Sequence, residues 1–275
     1  MYDSAGSISL IGLVNKIALK GDYFIVSKFL GPSSLGLYSK AYQLMAMPTT
    51  LVSKALNKIG FATLAEYQDD REIQRLMFLR LTFLVSMILF PISVVLFFLA
   101  EEIIYILLGP AWMEATVAFQ ILSIGSFFRL AYKISDVILQ VKRKFNVVLF
   151  IHTAYAAMVL VGAFLLREYN IEGVAVGVLL ALVTEYILST ALSARYVGLS
   201  FNEIILAIYR PVLITLVLVL LILGLQQIPI FSTAGNVAWI AVFLASVITA
   251  VIGLRLKGIG GEYGRWWWKK IRKRS

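Results

Sequence analysis

The chain has 275 residues, of which 60% are apolar, and its mean hydropathy is +0.89. This composition excludes an ordinary soluble domain and is typical of a membrane protein with several spans. The lack of Cys excludes disulfide and thiol chemistry. The net charge is +10, and eight of the 25 basic residues follow Leu254, beside Trp266–Trp268. Indole rings next to a basic run favour an anionic lipid surface, and not nucleic acid, as the partner of this segment.

Eight hydrophobic segments are long enough to span a bilayer, so the sequence predicts an all-α, polytopic membrane helix bundle with about eight transmembrane helices. The third, fifth and eighth segments are plainly apolar, whereas the first two are polar enough for a hydropathy window to miss them. The predicted segments are Ser7–Leu30, Leu35–Leu64, Leu76–Ala100, Trp112–Val141, Phe145–Leu166, Gly173–Ala194, Pro211–Ile230 and Asn236–Leu254.

Basic residues are concentrated in alternate connections between these segments. The opposite connections carry Arg167 alone. Because basic loops stay on the cytoplasmic side, this pattern predicts that both termini are cytoplasmic. The basic residues on the predicted cytoplasmic side are Arg71, Arg75, Arg80, Lys142, Arg143, Lys144, Arg195, Arg210 and those of the C-terminal tail.

The fourth segment carries polar side chains along one face. Arg129, Lys133, Asp136 and Gln140 fall within about 60° of one another at 100° per residue. A charge in hydrocarbon costs at least about 2.5 kcal/mol, so it is retained only where it faces water or a partner. The segment therefore predicts a wet polar interior, which is typical of a transport pathway.

Two other segments carry cations one helical turn apart, Lys16 and Lys20 in the first and Lys54 and Lys58 in the second. Like charges at this spacing repel, so three such pairs predict an anion or a water-filled cavity that receives them. The alternative for Lys54 and Lys58 is that they reach the cytoplasmic headgroups. We predict that six cations line one cavity and bind the substrate: Lys16, Lys20, Lys54, Lys58, Arg129 and Lys133.

The acids and the only histidine are assigned supporting roles. Asp22 and Asp136 are expected to pair with neighbouring cations, and ion coupling is the alternative for both. Glu185, alone in the sixth segment, is either a proton site or a paired structural acid. His152 is expected to be packed or interfacial. Metal-binding and phosphate-binding motifs are absent from the sequence, so no metal, no cofactor and no catalytic residue is predicted.

The order of several short motifs resembles the Wzx-type polysaccharide flippases. This family belongs to the superfamily that also holds multidrug efflux proteins of the MATE type and peptidoglycan-precursor flippases. The pieces that carry the resemblance are Gly21–Gly31 (GDYFIVSKFLG), Leu35–Leu44 (LGLYSKAYQL), Phe61–Asp70, Leu108–Trp112 and Gly173–Gly177. The resemblance extends over nearly the whole chain up to about Asn202.

The resemblance implies a transporter, not an enzyme. Its substrate would be an oligosaccharide joined through pyrophosphate to a polyprenyl lipid, flipped across the bacterial inner membrane during polysaccharide or lipopolysaccharide biosynthesis. Family members have two six-helix lobes around a central cavity, often with two further C-terminal helices. This chain looks like the second lobe (1–200), the two further helices (201–258) and a basic aromatic cytoplasmic tail (259–275). One lobe cannot enclose a cavity, so a missing N-terminal lobe or a second copy is the expected partner.

Three other functions stay open at this point. A cation-coupled multidrug or small-molecule antiporter of the same superfamily would favour buried acids over basic pairs. A membrane glycosyltransferase or polymerase would need a catalytic acid and usually a sizeable outer loop. A non-transporting membrane subunit or fragment would not move a lipid-linked sugar when it is expressed alone.

Overall fold

The computed structural model describes residues 2–56, 64 and 66–226, and every regular element in those ranges is helical. This confirms the all-α class. The predicted eighth segment, Asn236–Leu254, lies outside the described residues, as do Lys58 and the tail 259–275. One compact unit ends at Leu213, and a second unit begins at Ile214.

The helices follow one another with short connections. A 3₁₀ turn at Pro110–Ala115 precedes the fifth α-helix, and another at Arg167–Tyr169 precedes the eighth. The α-helices in the described ranges are α1 (Tyr2–Phe29), α2 (Gly31–Leu56), α3 (Arg71–Phe98), α4 (Ala100–Leu108), α5 (Thr116–Ile124), α6 (Ser126–Val141), α7 (Phe145–Leu166), α8 (Asn170–Val197) and α9 (Phe201–Gln226).

The predicted fourth segment is not one helix. It divides into α5 and α6 at Gly125, whose N–H donates to the Leu122 carbonyl at 2.9 Å, a bond of the tighter i→i−3 type. A β-carbon at Gly125 would lie 3.0 Å from Leu182 Cδ1, so this break lets α8 pack closely. The stretch after Ala100, expected as a loop, instead forms α4, which ends where Gly109 takes a φ of +92°.

Four helical stretches among the described residues are long and apolar enough to cross a membrane: Arg71–Phe98, Pro110–Val141, Phe145–Val197 and Phe201–Gly224. The third folds back on itself at Arg167–Tyr169, so α7 and α8 pack side by side. As expected, α1 and α2 are helical, but they are too polar to count as membrane spans by the same criterion of length and hydropathy. The chain is therefore a multi-pass membrane protein built from helices.

The apolar core lies where α1, α2, α5, α7 and α8 meet. Each of these helices contributes side chains that are almost completely buried, among them Val26, Ala41, Phe119, Val159 and Ala175. Several of them are small, and helices that pack in a membrane use small residues to bring their backbones close together.

The backbones of α7 and α8 approach each other closely at Gly162 and Gly177. A β-carbon on Gly177 would lie 2.7 Å from the carbonyl carbon of Gly162. We expect Gly177→Ala to force the two helices apart at a cost of about 1–3 kcal/mol, because backbone cannot move aside as a flexible side chain can. The melting temperature of the purified protein in detergent should fall accordingly.

Gly36→Ala is the matched control for this substitution. A β-carbon there would meet only Trp112 Cζ3, at 3.9 Å, which is an ordinary contact. Since Ala favours a helix over Gly by about 0.5–1 kcal/mol, this variant should melt at the same temperature or higher. Equal melting temperatures for the two variants would contradict the close approach.

Candidate functional site

A cavity of about 240 Å³ lies between α2 and α6, and α7 and α8 contribute one wall residue each. Three cations and three aliphatic hydroxyl groups make its wall polar, and we call it the basic cavity. Its lining residues are Thr49, Thr50, Ser53, Lys54, Arg129, Leu130, Tyr132, Lys133, Tyr155 and Leu182.

Helical periodicity explains why these side chains share one cavity. Thr50 and Lys54 are four residues apart on α2, and Arg129 and Lys133 are four residues apart on α6. Residues at this spacing lie on one face of a helix, so each pair presents its polar groups in the same direction. Three cations from two helices, in a space this small, create a strong preference for an anion.

The guanidinium of Arg129 is held in place by a tyrosine of α2. Its Nη1 donates to the Tyr42 hydroxyl, and its central carbon lies 4.7 Å from the centre of the Tyr42 ring. The Arg129 side chain is half-buried, whereas that of Tyr42 is buried. Because a guanidinium has five N–H donors, the contact with Tyr42 leaves donors for a bound anion.

Behind Tyr42 lies a buried network centred on Asp22 of α1. The Asp22 carboxylate accepts a hydrogen bond of 2.7 Å from the Tyr38 hydroxyl and one of 2.9 Å from the Tyr23 backbone N–H. The Tyr23 ring packs edge-on against the rings of Tyr38 and Tyr42, with centroids 5.7 and 5.6 Å away. The direct partners of Asp22 are therefore tyrosines, which fix the wall that holds Arg129.

The hydroxyl groups of α2 have a defined polarity. Thr49 and Thr50 both donate to the Ala46 carbonyl, at 2.8 Å. Their oxygens can then only accept further hydrogen bonds. Acceptors of this kind suit the hydroxyl groups of a sugar, and the nearby cations suit a phosphate.

The structure brings together three of the six cations predicted to bind substrate: Lys54, Arg129 and Lys133. Lys20 is exposed on α1, its Nζ lies 4.7 Å from the centre of the Tyr23 ring, and it does not line the basic cavity. The side chain of Lys16 and all of Lys58 lie outside the described residues. The role of these residues in substrate binding stays a prediction.

Asp136, predicted to continue the polar stripe, does not line the basic cavity. It is buried and contacts His152 of α7, with its Oδ2 2.8 Å from His152 Nε2. The other ring nitrogen, Nδ1, lies 3.2 Å from Oε1 of the buried Glu185 on α8. Gln140, the last member of the stripe, is exposed.

We call Asp136, His152 and Glu185 the acid–histidine cluster, and the sequence analysis missed it. The sequence did contain an indication of it, because a lone His and a lone Glu in neighbouring apolar segments each need a polar partner. The two acids approach opposite sides of the imidazole ring. The three side chains therefore do not converge on one point as metal ligands would.

Comparison with known proteins finds similar chains among the proteins of polysaccharide biosynthesis. Residues 4–117 match the family described as polysaccharide biosynthesis protein. Teichuronic acid biosynthesis protein TuaB of Bacillus subtilis (strain 168) is 25% identical over 117 residues, which are 42% of this chain and 24% of that protein. Lipopolysaccharide biosynthesis protein WzxC of Escherichia coli (strain K12) is 24% identical over 211 residues, which are 74% of this chain and 42% of that protein.

The fold also matches a solved structure, the inward closed conformation of the lipid II flippase MurJ. The TM-score is 0.71 at 13% sequence identity, over 88% of this chain and 50% of that one. The chain thus spans less than half the length of these curated relatives and half the length of the flippase. These matches confirm the resemblance found in the sequence: the chain is similar to proteins named for polysaccharide and lipopolysaccharide biosynthesis, WzxC among them, and shares its helical fold with half of a lipid II flippase.

Proposed function

We propose that this chain takes part in flipping an oligosaccharide, linked through pyrophosphate to a polyprenyl lipid, across the bacterial inner membrane. The observation that carries the proposal is the basic cavity, in which Lys54, Arg129 and Lys133 meet at acceptor hydroxyl groups. A pyrophosphate group is matched by these cations, and the guanidinium can bind two of its oxygens at once. The reaction is movement of a lipid, so the proposal includes no catalytic residue and no cofactor.

The proposal also covers topology and partners. The basic loops support a cytoplasmic location for both termini. The apolar surface of the helices supports direct contact with membrane lipids, and the polyprenyl chain can stay in the bilayer while the sugar crosses. A second lobe or a second copy of the chain would supply the opposite wall of the pathway, as the match to half of the flippase suggests.

A cation-coupled antiporter is the second candidate, and the buried acids favour it. Asp22, Asp136 and Glu185 are all almost completely buried. However, none of them lines the basic cavity, where the charged side chains are cations. The substrate-facing surface therefore suits an anion, and the acids behind it suit a supporting role.

A single-cysteine experiment tests the proposal, because the natural chain has no Cys to remove. In membrane vesicles, Thr50→Cys should react with a small charged thiol reagent, since Thr50 lines the basic cavity. Farnesyl pyrophosphate should protect this cysteine, and farnesol, which has the same chain without the charge, should not. Val161→Cys is the matched control, because Val161 is exposed on the apolar face of α7 and should not react. Equal protection by the two lipids, or an unreactive Thr50→Cys, would contradict the proposed function.

A further inference from the structure

The acid–histidine cluster is the strongest unexplained feature of the described residues. Asp136, His152 and Glu185 come from α6, α7 and α8 and are 7%, 1% and 2% exposed. Burial of three ionisable groups in a membrane protein costs desolvation free energy, so such groups are retained where they neutralise one another or have a function. Their mutual contacts, at 2.8 and 3.2 Å from the imidazole, show that they act as one unit.

Hydrogen-bond accounting indicates how many protons the cluster holds. Both ring nitrogens of His152 face carboxylate oxygens, whereas a neutral imidazole has only one N–H. An imidazolium between two carboxylates would leave a net charge of −1. Only the contact of Nε2 with Asp136 has hydrogen-bond geometry, whereas Nδ1 and Oε1 of Glu185 form an ion pair without a hydrogen bond. Oδ1 of Asp136 and Oε2 of Glu185 are buried and have no hydrogen-bond partner. One further proton on Glu185 would make the cluster neutral and remove the unsolvated charge.

The cluster lies one helical turn behind the basic cavity on all three helices. Lys133, Tyr155 and Leu182, each three residues from a cluster member, line the cavity. The Tyr132 ring, also in the cavity wall, packs edge-on against the His152 ring with centroids 5.9 Å apart. A change of charge in the cluster therefore changes the electrostatic potential at the cavity wall.

Charged and titratable groups from several helices face the cluster. Arg129, Lys133 and Tyr132 of α6, Tyr155 of α7 and Tyr42 of α2 interact electrostatically with Asp136 or Glu185. Asp22 of α1 acts on the same Arg129. The two cations stabilise the cluster in its −1 state. An anion that binds these cations cancels that effect and so favours the protonated, neutral cluster.

We propose that Asp136, His152 and Glu185 form a proton-binding site whose occupancy is linked to anion binding in the basic cavity. The proton site stands on the buried geometry alone, whereas the linkage rests on the proposed function. By reciprocity, the anion favours proton uptake and the proton favours anion binding by the same factor. A proton is thus the second ligand of this chain, taken up together with a pyrophosphate group.

Nuclear magnetic resonance of the full chain tests the proton site directly. Because His152 is the only histidine, selective ¹⁵N-histidine labelling reports on this one ring. We expect its nitrogen signals to shift with pH, because the charge on Glu185 beside Nδ1 changes when the cluster takes up its proton. Glu185→Gln should abolish that transition and leave an imidazolium paired with Asp136. Asp136→Asn provides a second variant of the same kind, and Glu168→Gln, at an exposed acid, should keep the natural transition.

The linkage is tested by repeating the titration with saturating farnesyl pyrophosphate or inorganic pyrophosphate. The transition should move to higher pH by about one unit, which corresponds to about tenfold linkage. A shift with both ligands identifies the pyrophosphate group as the effector, and a shift with the farnesyl form alone identifies the lipid-borne headgroup. Signals that stay constant with pH, or a transition unchanged in both acid variants, would overturn the proton site. A pH midpoint of the His152 signals that does not change when the ligand is bound would overturn the linkage. Failure of farnesyl pyrophosphate to protect Thr50→Cys would overturn the proposed function. The titration without ligand would still decide whether the proton site exists.

Discussion

Arg129→Ala is expected to weaken binding of farnesyl pyrophosphate about 10- to 100-fold. Hydrogen bonds to charged groups contribute about 1.5–3 kcal/mol each, and 1.4 kcal/mol corresponds to a factor of ten in affinity. Arg129 is the cation of the basic cavity that a second residue, Tyr42, orients. Its loss therefore removes both a positive charge and a correctly oriented hydrogen-bond donor. A calorimetric titration of the purified chain with farnesyl pyrophosphate would measure the change in affinity.

Two further variants separate charge from geometry. Arg129→Lys keeps the positive charge but loses the planar fork, so its affinity should lie between those of the natural chain and Arg129→Ala. Arg195→Ala removes an exposed cation at the end of α8 and should bind as the natural chain does. The melting temperature of each variant shows whether the fold is retained. Natural affinity in a folded Arg129→Ala would exclude Arg129 from the binding site.

Local sequence was sufficient to place most helices. The plainly apolar fifth segment, Phe145–Leu166, coincides with α7. The break at Gly125 was missed because hydropathy does not change there; it depends on how closely Leu182 of another helix approaches. The helix α4 was missed because it is shorter than a membrane span.

The basic cavity was partly accessible from sequence, because spacing along one helix fixes which residues share a face. Lys133 follows Arg129 by one turn, and both line the cavity. Spacing along one helix does not determine which face of that helix turns toward a neighbouring helix. Lys20 shows this, because it repeats the same i,i+4 pattern on α1 but lies exposed beside Tyr23. The partnership of His152 with Glu185 likewise depends on the packing of α7 against α8.

His152→Leu is expected to destabilise the fold by about 3–5 kcal/mol. Removing one member of a buried charged group leaves its partners uncompensated, and this costs more than the group itself contributed. Here the variant would leave Asp136 and Glu185 buried around an apolar side chain, with no cation between them. Thermal unfolding in detergent, followed by circular dichroism, would measure the loss. Thr153→Leu, at the next and exposed position of α7, should change the melting temperature little.

The decisive comparison is with a triple variant in which His152→Leu is combined with Asp136→Asn and Glu185→Gln. Neutral amides of nearly the same shape no longer require a cation, so the triple variant should recover most of the stability lost in the single variant. Recovery would show that the loss came from uncompensated charge. If the triple variant were as unstable as His152→Leu alone, the imidazole would act through its packing against Tyr132, and the charge balance inferred for the cluster would be wrong.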